Sequence, residues 1–180
     1  MELETFETKR LILKKLTPKD FTHLFDNCPD SEIKSLLGLT TDEELHKEKE
    51  KSRGGYTTYD RTIVAFVMVL KTNSETIGRC GFHNWYPDHK KAEIGYALHR
   101  DENKQKGYMT EAVAALLEYG FKTMHLNRIE ACIGPSNIAS LGLVKKYGFT
   151  QEGHLRQHYV LNDGVQDSLI FSLLRQEYGA

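Results

Sequence analysis

With 180 residues, 39% of them hydrophobic and 27% charged, the chain has the length and composition of one globular domain that buries a real core. Lysine and arginine total 24 against 25 aspartates and glutamates, a net charge of −1, which excludes the basic excess of a general nucleic-acid binder. The longest apolar run, Ile63 to Leu70, is too short to span a bilayer, and Met1-Glu2-Leu3-Glu4 has neither the basic nor the apolar region of a signal peptide. A single cytoplasmic domain over 1–180, without nucleic-acid or membrane partners, is expected. Cys28, Cys80 and Cys132 are odd in number and lack metal-ligand spacing, so they are read as reduced thiols.

The first strand is predicted from the alternation of Arg10 to Leu16. Thr17-Pro18-Lys19-Asp20 then opens a helix, with Thr as N-cap, Pro at the first position and an acid in the first turn. That helix should run to about Asn27, and a second, charged one from Asp42 to Ser52. Strands follow over Thr62 to Leu70, Thr76 to Phe82 and Lys91 to Leu98. The turn sequences Lys71-Thr72-Asn73-Ser74 and Tyr86-Pro87-Asp88 join them as antiparallel hairpins. Trp85 and Tyr86 are read as hairpin packing.

Tyr108 to Met124 has the strongest helical pattern. A strand over Arg128 to Ile133 leads to a helix from Ile138 to Tyr147, stopped by Gly148. Phe149 to Leu161 and Val165 to Leu174 close the chain as a hairpin around Asn162-Asp163-Gly164. The order is β-α-α-β-β-β-α-β-α-β-β. On strands, His154 and His158 are too far apart to share one ion, and no metal is expected.

Two stretches carry chemistry. Lys104-Gln105-Lys106-Gly107-Tyr108-Met109 is a basic loop running into a helix. Gly107 lets backbone approach a ligand closely, and the N–H groups from Lys106 to Met109 lie where helix geometry favours a phosphate. The same residues also read as a solvated turn. Asn137-Ile138-Ala139-Ser140 opens a second helix, with Asn137 a plain N-cap on the bland reading. Gly95 interrupts a good strand, which marks either a close backbone approach or room for a packed neighbour.

The order of elements, the Lys104–Met109 loop and the Asn137–Phe149 segment resemble the GNAT superfamily of acetyl-CoA-dependent N-acetyltransferases. Ala92-Glu93-Ile94-Gly95-Tyr96, Asn137-Ile138-Ala139-Ser140, Tyr147-Gly148-Phe149 and the tail from Glu152-Gly153 to Leu173-Leu174 resemble its ribosomal-protein, or Rim-type, branch. The resemblance implies a mixed α/β fold: a largely antiparallel central sheet, flanked by helices, with one parallel, splayed strand pair. The family loop is Q/R-x-x-G-x-G/A; here Lys104 stands for the first residue and Met109 for the last small one.

It further implies acetyl-CoA as co-substrate, held by Lys104, Gln105, Lys106, Gly107, Tyr108 and Met109. Tyr96, Ala97 and Leu98 would be backbone contacts, and Asn137 would contact the pantetheine arm. Ser140 would protonate the leaving thiolate, since Val144 stands where many members carry a Tyr. The branch's strand carboxylate falls, by ungapped counting from Phe149, on Tyr159; His158 should point to the opposite face. Glu93 is the substitute base, acting through water, or a carboxylate on a solvated strand.

Direct attack by a primary amine in a ternary complex is expected, the acceptor being a protein N-terminus, such as that of a ribosomal protein, or a small molecule. Neutralising an α-amine of pKa about 8 at pH 7 costs roughly 1–1.5 kcal/mol, and a lysine amine near 10.4 roughly 4–5 kcal/mol. A weak base therefore favours an α-amine. The acceptor pocket is expected from the N-terminal helices, Leu36 to Thr41 and the Asn162 hairpin, in a monomer or homodimer. The rival readings are a polyamine, amino-acid or antibiotic acetyltransferase, a non-catalytic acyl-CoA sensor and a protein-interaction module.

Overall fold

The computed structural model describes residues 2–161 and 164–179. Its centre is an eight-stranded sheet of order β1-β2-β3-β4-β5-β6-β8-β7. The strands are β1 (Thr5–Glu7), β2 (Leu11–Leu16), β3 (Thr62–Leu70), β4 (Thr76–Tyr86), β5 (Lys91–Leu98), β6 (Arg128–Ile133), β7 (Thr150–Leu161) and β8 (Gly164–Leu174). The helices are α1 (Pro18–Asn27), α2 (Asp30–Leu37), α3 (Asp42–Arg53), α4 (Tyr108–Glu118) and α5 (Ile138–Lys146). Neighbouring strands pair antiparallel except β5 with β6, which is parallel. This is the mixed α/β architecture expected from the sequence.

Local chemistry accounts for most boundaries. At α1 the Thr17 hydroxyl accepts the Asp20 N–H, and the Asp20 carboxylate accepts the Thr17 N–H at 2.7 Å, a capping box. Helix α5 is followed by Gly148 at φ +76°, the left-handed stop that the sequence predicts. Strand β3 is buried almost throughout its C-terminal half, because helices cover both faces.

Two elements add to the predicted order. β1 is a three-residue edge strand, too short to display a period. Helix α2 starts after Pro29 and ends at Gly38, φ +68°, burying Ile33 and Leu37, one turn apart. The predicted helix from Tyr108 to Met124 is α-helical only to Glu118, then widens into a π turn over Tyr119–Thr123. A Cβ at Gly120 would lie 2.9 Å from Phe82 Cζ and 3.0 Å from Ile129 Cδ1, so the wide turn rests directly on the sheet.

The sheet separates two cores. One, under α4 and α5, contains Leu13, Phe66, Phe82, Ile94, Leu116 and Phe171. The other joins β2 and β3 to α1, α2 and α3 through Leu16, Phe21, Leu24, Ile33, Leu45 and Val67. Strand β4 runs to Tyr86, past the predicted end at Phe82, and carries a bulge between His83 and Tyr86 with Asn84 at φ +44°. Strand β7 is irregular between Leu155 and Tyr159, with Gln157 at φ +52°.

Candidate active site

Strands β5 and β6 pair only through Lys91/Arg128, Ala92/Ile129 and Glu93/Glu130, then part. The other edge of β5 stays on β4 to Leu98. The His99 N–H donates to the Ile77 carbonyl at 3.0 Å. Antiparallel alternation then commits the amides of Gly95 and Ala97 to β4 and leaves those of Tyr96 and Leu98 on the open edge. The strand pair is splayed where a pantetheine arm would need backbone donors.

Beyond β5 a single 3₁₀ turn, Asp101–Asn103, leads to the basic loop. Gln105 and Gly107 both have positive φ, +58° and +78°. Gly107 is the N-cap of α4 and provides no side-chain cap. The first helical bond is from the Glu111 N–H to the Gly107 carbonyl, 3.1 Å, so the amides of Tyr108, Met109 and Thr110 have no partner within the helix. They point out of the positive end of the dipole.

Between this loop, the splay and α5 lies a cleft of about 540 Å³. Of the predicted cofactor residues, Tyr96, Ala97, Leu98, Lys104, Gln105, Gly107, Tyr108, Met109, Asn137 and Ser140 line it. Lys106 does not; its carbonyl is tied to Arg10 Nη1 at 2.9 Å. Lys104 is paired with Asp101 at 2.5 Å on the surface. Asn137 does act as N-cap, its Oδ1 accepting the Ser140 N–H at 3.1 Å, and it also lines the cleft.

Asn103 is a cleft residue that the sequence pattern does not flag. Its side chain is 5% exposed, and among the described residues Nδ2 has no hydrogen-bond partner. A buried, unpaired amide is costly unless a ligand accepts from it. The Tyr96 hydroxyl is likewise buried without a partner. Burial pushes its pKa up, partly opposed by the neighbouring Ser140 hydroxyl, which sits beside it without completing a hydrogen bond.

Arg10 fastens the loop to β2. Its backbone N–H and Nε donate to the two Glu111 carboxylate oxygens at 2.6 and 2.8 Å, and Thr8 Oγ1 donates to Oε1 at 2.6 Å. The guanidinium also stacks over the Tyr108 ring, 4.6 Å from its centroid. Burial pushes the Glu111 pKa up, but the Thr8 and Arg10 hydrogen bonds outweigh it and hold the carboxyl low. A charge-reinforced clamp therefore sets the loop conformation.

On the opposite face of β5 a second cleft, about 670 Å³, is lined by α1, α3, β3, β4 and the middle of β5. Tyr96 and Ala97 line both clefts, so the two meet there. Phe21, Tyr56, Ile63 and Val64 give it apolar walls. Glu48, 6% exposed, receives Arg79 Nη1 and Nη2 at 2.8 and 2.9 Å and Lys51 Nζ at 2.9 Å. Helices α1 and α3 thus border this cleft. Gly38, Leu39 and Thr40 line an adjoining pocket of about 310 Å³, which shares Glu48, Lys51 and Arg79 with this cleft. Asn162 and Asp163 of the expected hairpin contribution lie outside the described residues.

Glu93 projects on this second face. Oε1 is 3.3 Å from His83 Nε2, and Oε2 accepts from Asn84 Nδ2 at 3.0 Å. Burial raises its pKa; the His83 and Asn84 hydrogen bonds and the charge of His158 more than reverse this, so it lies below the usual carboxylate range. Gly95 has a specific cause: a Cβ there would lie 3.0 Å from His83 Cε1 and Nδ1. The imidazole occupies the space a side chain would fill.

The irregularity in β7 overturns simple counting. His158 Nδ1 is 3.6 Å from Cys132 Sγ, and its ring centroid is 4.3 Å from that of Tyr159. Both side chains gather beside Cys132, so His158 is not on the face away from Tyr159 that strict alternation requires. His154 Nε2 is 2.7 Å from Asp167. Among the described residues no group of three or more His, Cys, Asp or Glu could hold a metal ion. No helix among them is long and apolar enough to cross a membrane.

The family model described as an acetyltransferase (GNAT) domain matches residues 10–150. The uncharacterised N-acetyltransferase p20 of Bacillus licheniformis is 33% identical over 98% of this chain and 99% of its own. A [ribosomal protein uS5]-alanine N-acetyltransferase of Escherichia coli (strain K12) is 26% identical over 96% of this chain and 80% of its own. Among solved structures, the GNAT-family acetyltransferase from Bacillus anthracis superposes with a TM-score of 0.68 at 26% identity, over 97% of this chain and 100% of that one.

Proposed function

The chain belongs to the GNAT acetyltransferase family, and on that premise we propose that it moves the acetyl group of acetyl-CoA to a single primary amine by direct attack in a ternary complex. The observation that carries this reading is the meeting of the two clefts at Tyr96 and Ala97. An amine on one face and a thioester on the other would share one stretch of β5.

Bound acetyl-CoA supplies a thioester whose acyl carbon the amine attacks, with cleavage of the C–S bond. The uncapped amides of Tyr108, Met109 and Thr110 suit its diphosphate, and Asn103 Nδ2 offers a further donor. The Tyr96 and Leu98 amides lie along the open edge, where they would receive the developing oxyanion; one such donor is worth about 3–4 kcal/mol in other enzymes. Ser140, beside the Tyr96 hydroxyl in this cleft, would donate to the leaving sulfur. A thiol pKa near 8.5 makes this a modest demand.

The acceptor is narrowed by charge. Among the described residues lining the second cleft, Glu48 is the single carboxylate, and Arg79 and Lys51 saturate it. Two cations against one anion leave the cleft positive, which disfavours a polyamine. We assign an apolar-bodied monoamine, either a protein N-terminus or a small primary amine. The uS5-alanine acetyltransferase likeness supports the first.

Calorimetry with acetyl-CoA, followed by thiol-release assays on an alanine-headed peptide, phenethylamine and spermidine, tests this reading. Binding with thiol release on the first two and little on spermidine is expected. Binding without turnover on any amine would favour a sensor, and no binding would overturn the cofactor assignment.

A further inference from the structure

His83 stands between Glu93 and the open cleft. Its side chain is 46% exposed and lines the 670 Å³ cavity, whereas the Glu93 side chain is 19% exposed and does not line it. Glu93 Oε1 lies 3.3 Å from His83 Nε2, and Oε2 accepts from Asn84 Nδ2 at 3.0 Å. The bulge in β4 puts Asn84 at φ +44°, which brings its amide back onto the carboxylate. Gly95 clears the floor beneath the ring: any Cβ there would lie 3.0 Å from Nδ1 and Cε1.

We propose that His83 is the group that takes the proton from the acceptor amine, with Glu93 as the positioning residue behind it. The inference rests on the transferase reading above. With Nε2 facing a carboxylate, the ring carries its hydrogen there and leaves the Nδ1 lone pair as the acceptor. The acceptor ammonium first gives one proton to Nδ1, which passes it to solvent; the neutral amine nitrogen then bonds to the acyl carbon and sheds its second proton to solvent as the C–S bond breaks. The sulfur leaves with its electron pair and is protonated from the Ser140 side. The products are the acetamide and the free thiol of coenzyme A, and no further reactant is needed.

The sequence hides this pair because it lies across strands: His83 opposite Glu93 in the β4–β5 register, with Gly95 two residues on. The groups around the imidazole are Glu93 on β5, Asn84 with Arg61 Nη1 3.3 Å from its Oδ1, His158 acting on Glu93 from β7, and the Glu48–Arg79–Lys51 cluster lining the same cleft.

The test uses H83Q and E93Q in the full chain, with phenethylamine and a hydrazide, the latter already neutral at pH 7. H83Q should lower kcat for phenethylamine by about 10²- to 10³-fold and flatten the acidic limb of the pH–rate profile. Its acetyl-CoA affinity should stay within about twofold, and the loss with the hydrazide should be much smaller. E93Q should lower kcat for phenethylamine by about tenfold with KM and acetyl-CoA affinity unchanged, and E93D should recover part of that loss. An E93Q variant that loses all turnover while H83Q keeps its pH profile would make Glu93 the base and overturn the proposal. An E93Q variant that keeps the wild-type kcat would also overturn it. Failure of the wild-type chain to bind acetyl-CoA would instead sink the transferase reading, so the two failures are separable.

Discussion

Arg10 Nη1 donates to the carbonyl oxygen of Lys106 at 2.9 Å, fastening the loop before α4 to the start of β2. That bond fixes the one predicted loop residue that does not line the proposed cofactor cleft. It therefore acts on the cleft through conformation, holding Gly107 and the first amides of α4 in place. Arg10→Ala removes the fork and leaves Glu111 with Thr8 and the residue 10 backbone N–H as donors. Since Arg10 is substantially exposed, the stability loss should be about 1 kcal/mol, while acetyl-CoA affinity falls about tenfold. Arg10→Lys should rescue little, because an ammonium cannot serve Lys106 and Glu111 together. Calorimetry and urea unfolding check the two effects; normal affinity in Arg10→Ala would show that the loop holds itself.

Gly107→Val asks a β-branched residue to adopt φ +78°. Left-handed backbone costs roughly 1–2 kcal/mol for an ordinary L-residue, and more for a branched one. The added Cβ would also meet Arg10 Nη2 at 3.4 Å. Acetyl-CoA binding should weaken at least tenfold, with a fall in melting temperature of a few degrees. Gly107→Asn, which tolerates this conformation better, should recover most of the stability. Its recovery of affinity then reads whether bare backbone is needed for the phosphates.

Ser140→Ala and Tyr96→Phe separate two hydroxyls that share one corner of the cleft. The Ser140 hydroxyl is not part of the helix cap, since its backbone N–H alone is bound by Asn137. Its loss should leave stability and acetyl-CoA affinity nearly unchanged while turnover drops about 10- to 100-fold. Tyr96→Phe removes a buried hydroxyl that has no hydrogen-bond partner among the described residues, so stability should hold or rise by about 1 kcal/mol. If Tyr96 supports Ser140, turnover still falls. A Tyr96→Phe variant that is both more stable and fully active would reduce that hydroxyl to a packing remnant.

The chain between Thr62 and Phe149 is legible because its periods are long and its punctuation is strong: turns before Thr76 and Lys91, Gly107 before α4, Gly148 after α5. The predicted cofactor residues lie in that stretch and are local in sequence. What stays hidden depends on register or distance. The β7 irregularity defeats counting from Phe149, since alternation assumes an unbroken period of two. His83 meets Glu93 only once β4 and β5 are aligned, and Arg10 meets Glu111 across a hundred residues of chain. Helix α2 carries its own stop at Gly38, but eight residues with two buried positions leave too faint a stripe to separate from a loop.

Glu48 gives a pH signature. Hydrogen bonds from Arg79, against the effect of burial, hold its carboxyl at about 2, well under the ordinary 4.5. A folded pKa below the unfolded one stabilises the protein fully above pH 4.5, and this contribution is lost as pH falls toward 2. The gap corresponds to at most about 3 kcal/mol. Glu48→Gln should therefore be less stable than the parent by about 2–3 kcal/mol at pH 7, because it leaves Arg79 charged and poorly paired. Other carboxylates with lowered pKa values, such as Glu152, titrate in both proteins and cancel in the difference. Urea unfolding at pH 7, 5, 4 and 3 should show the difference shrinking on the acid side. A difference that stays constant across that range would mean Glu48 contributes through shape rather than charge.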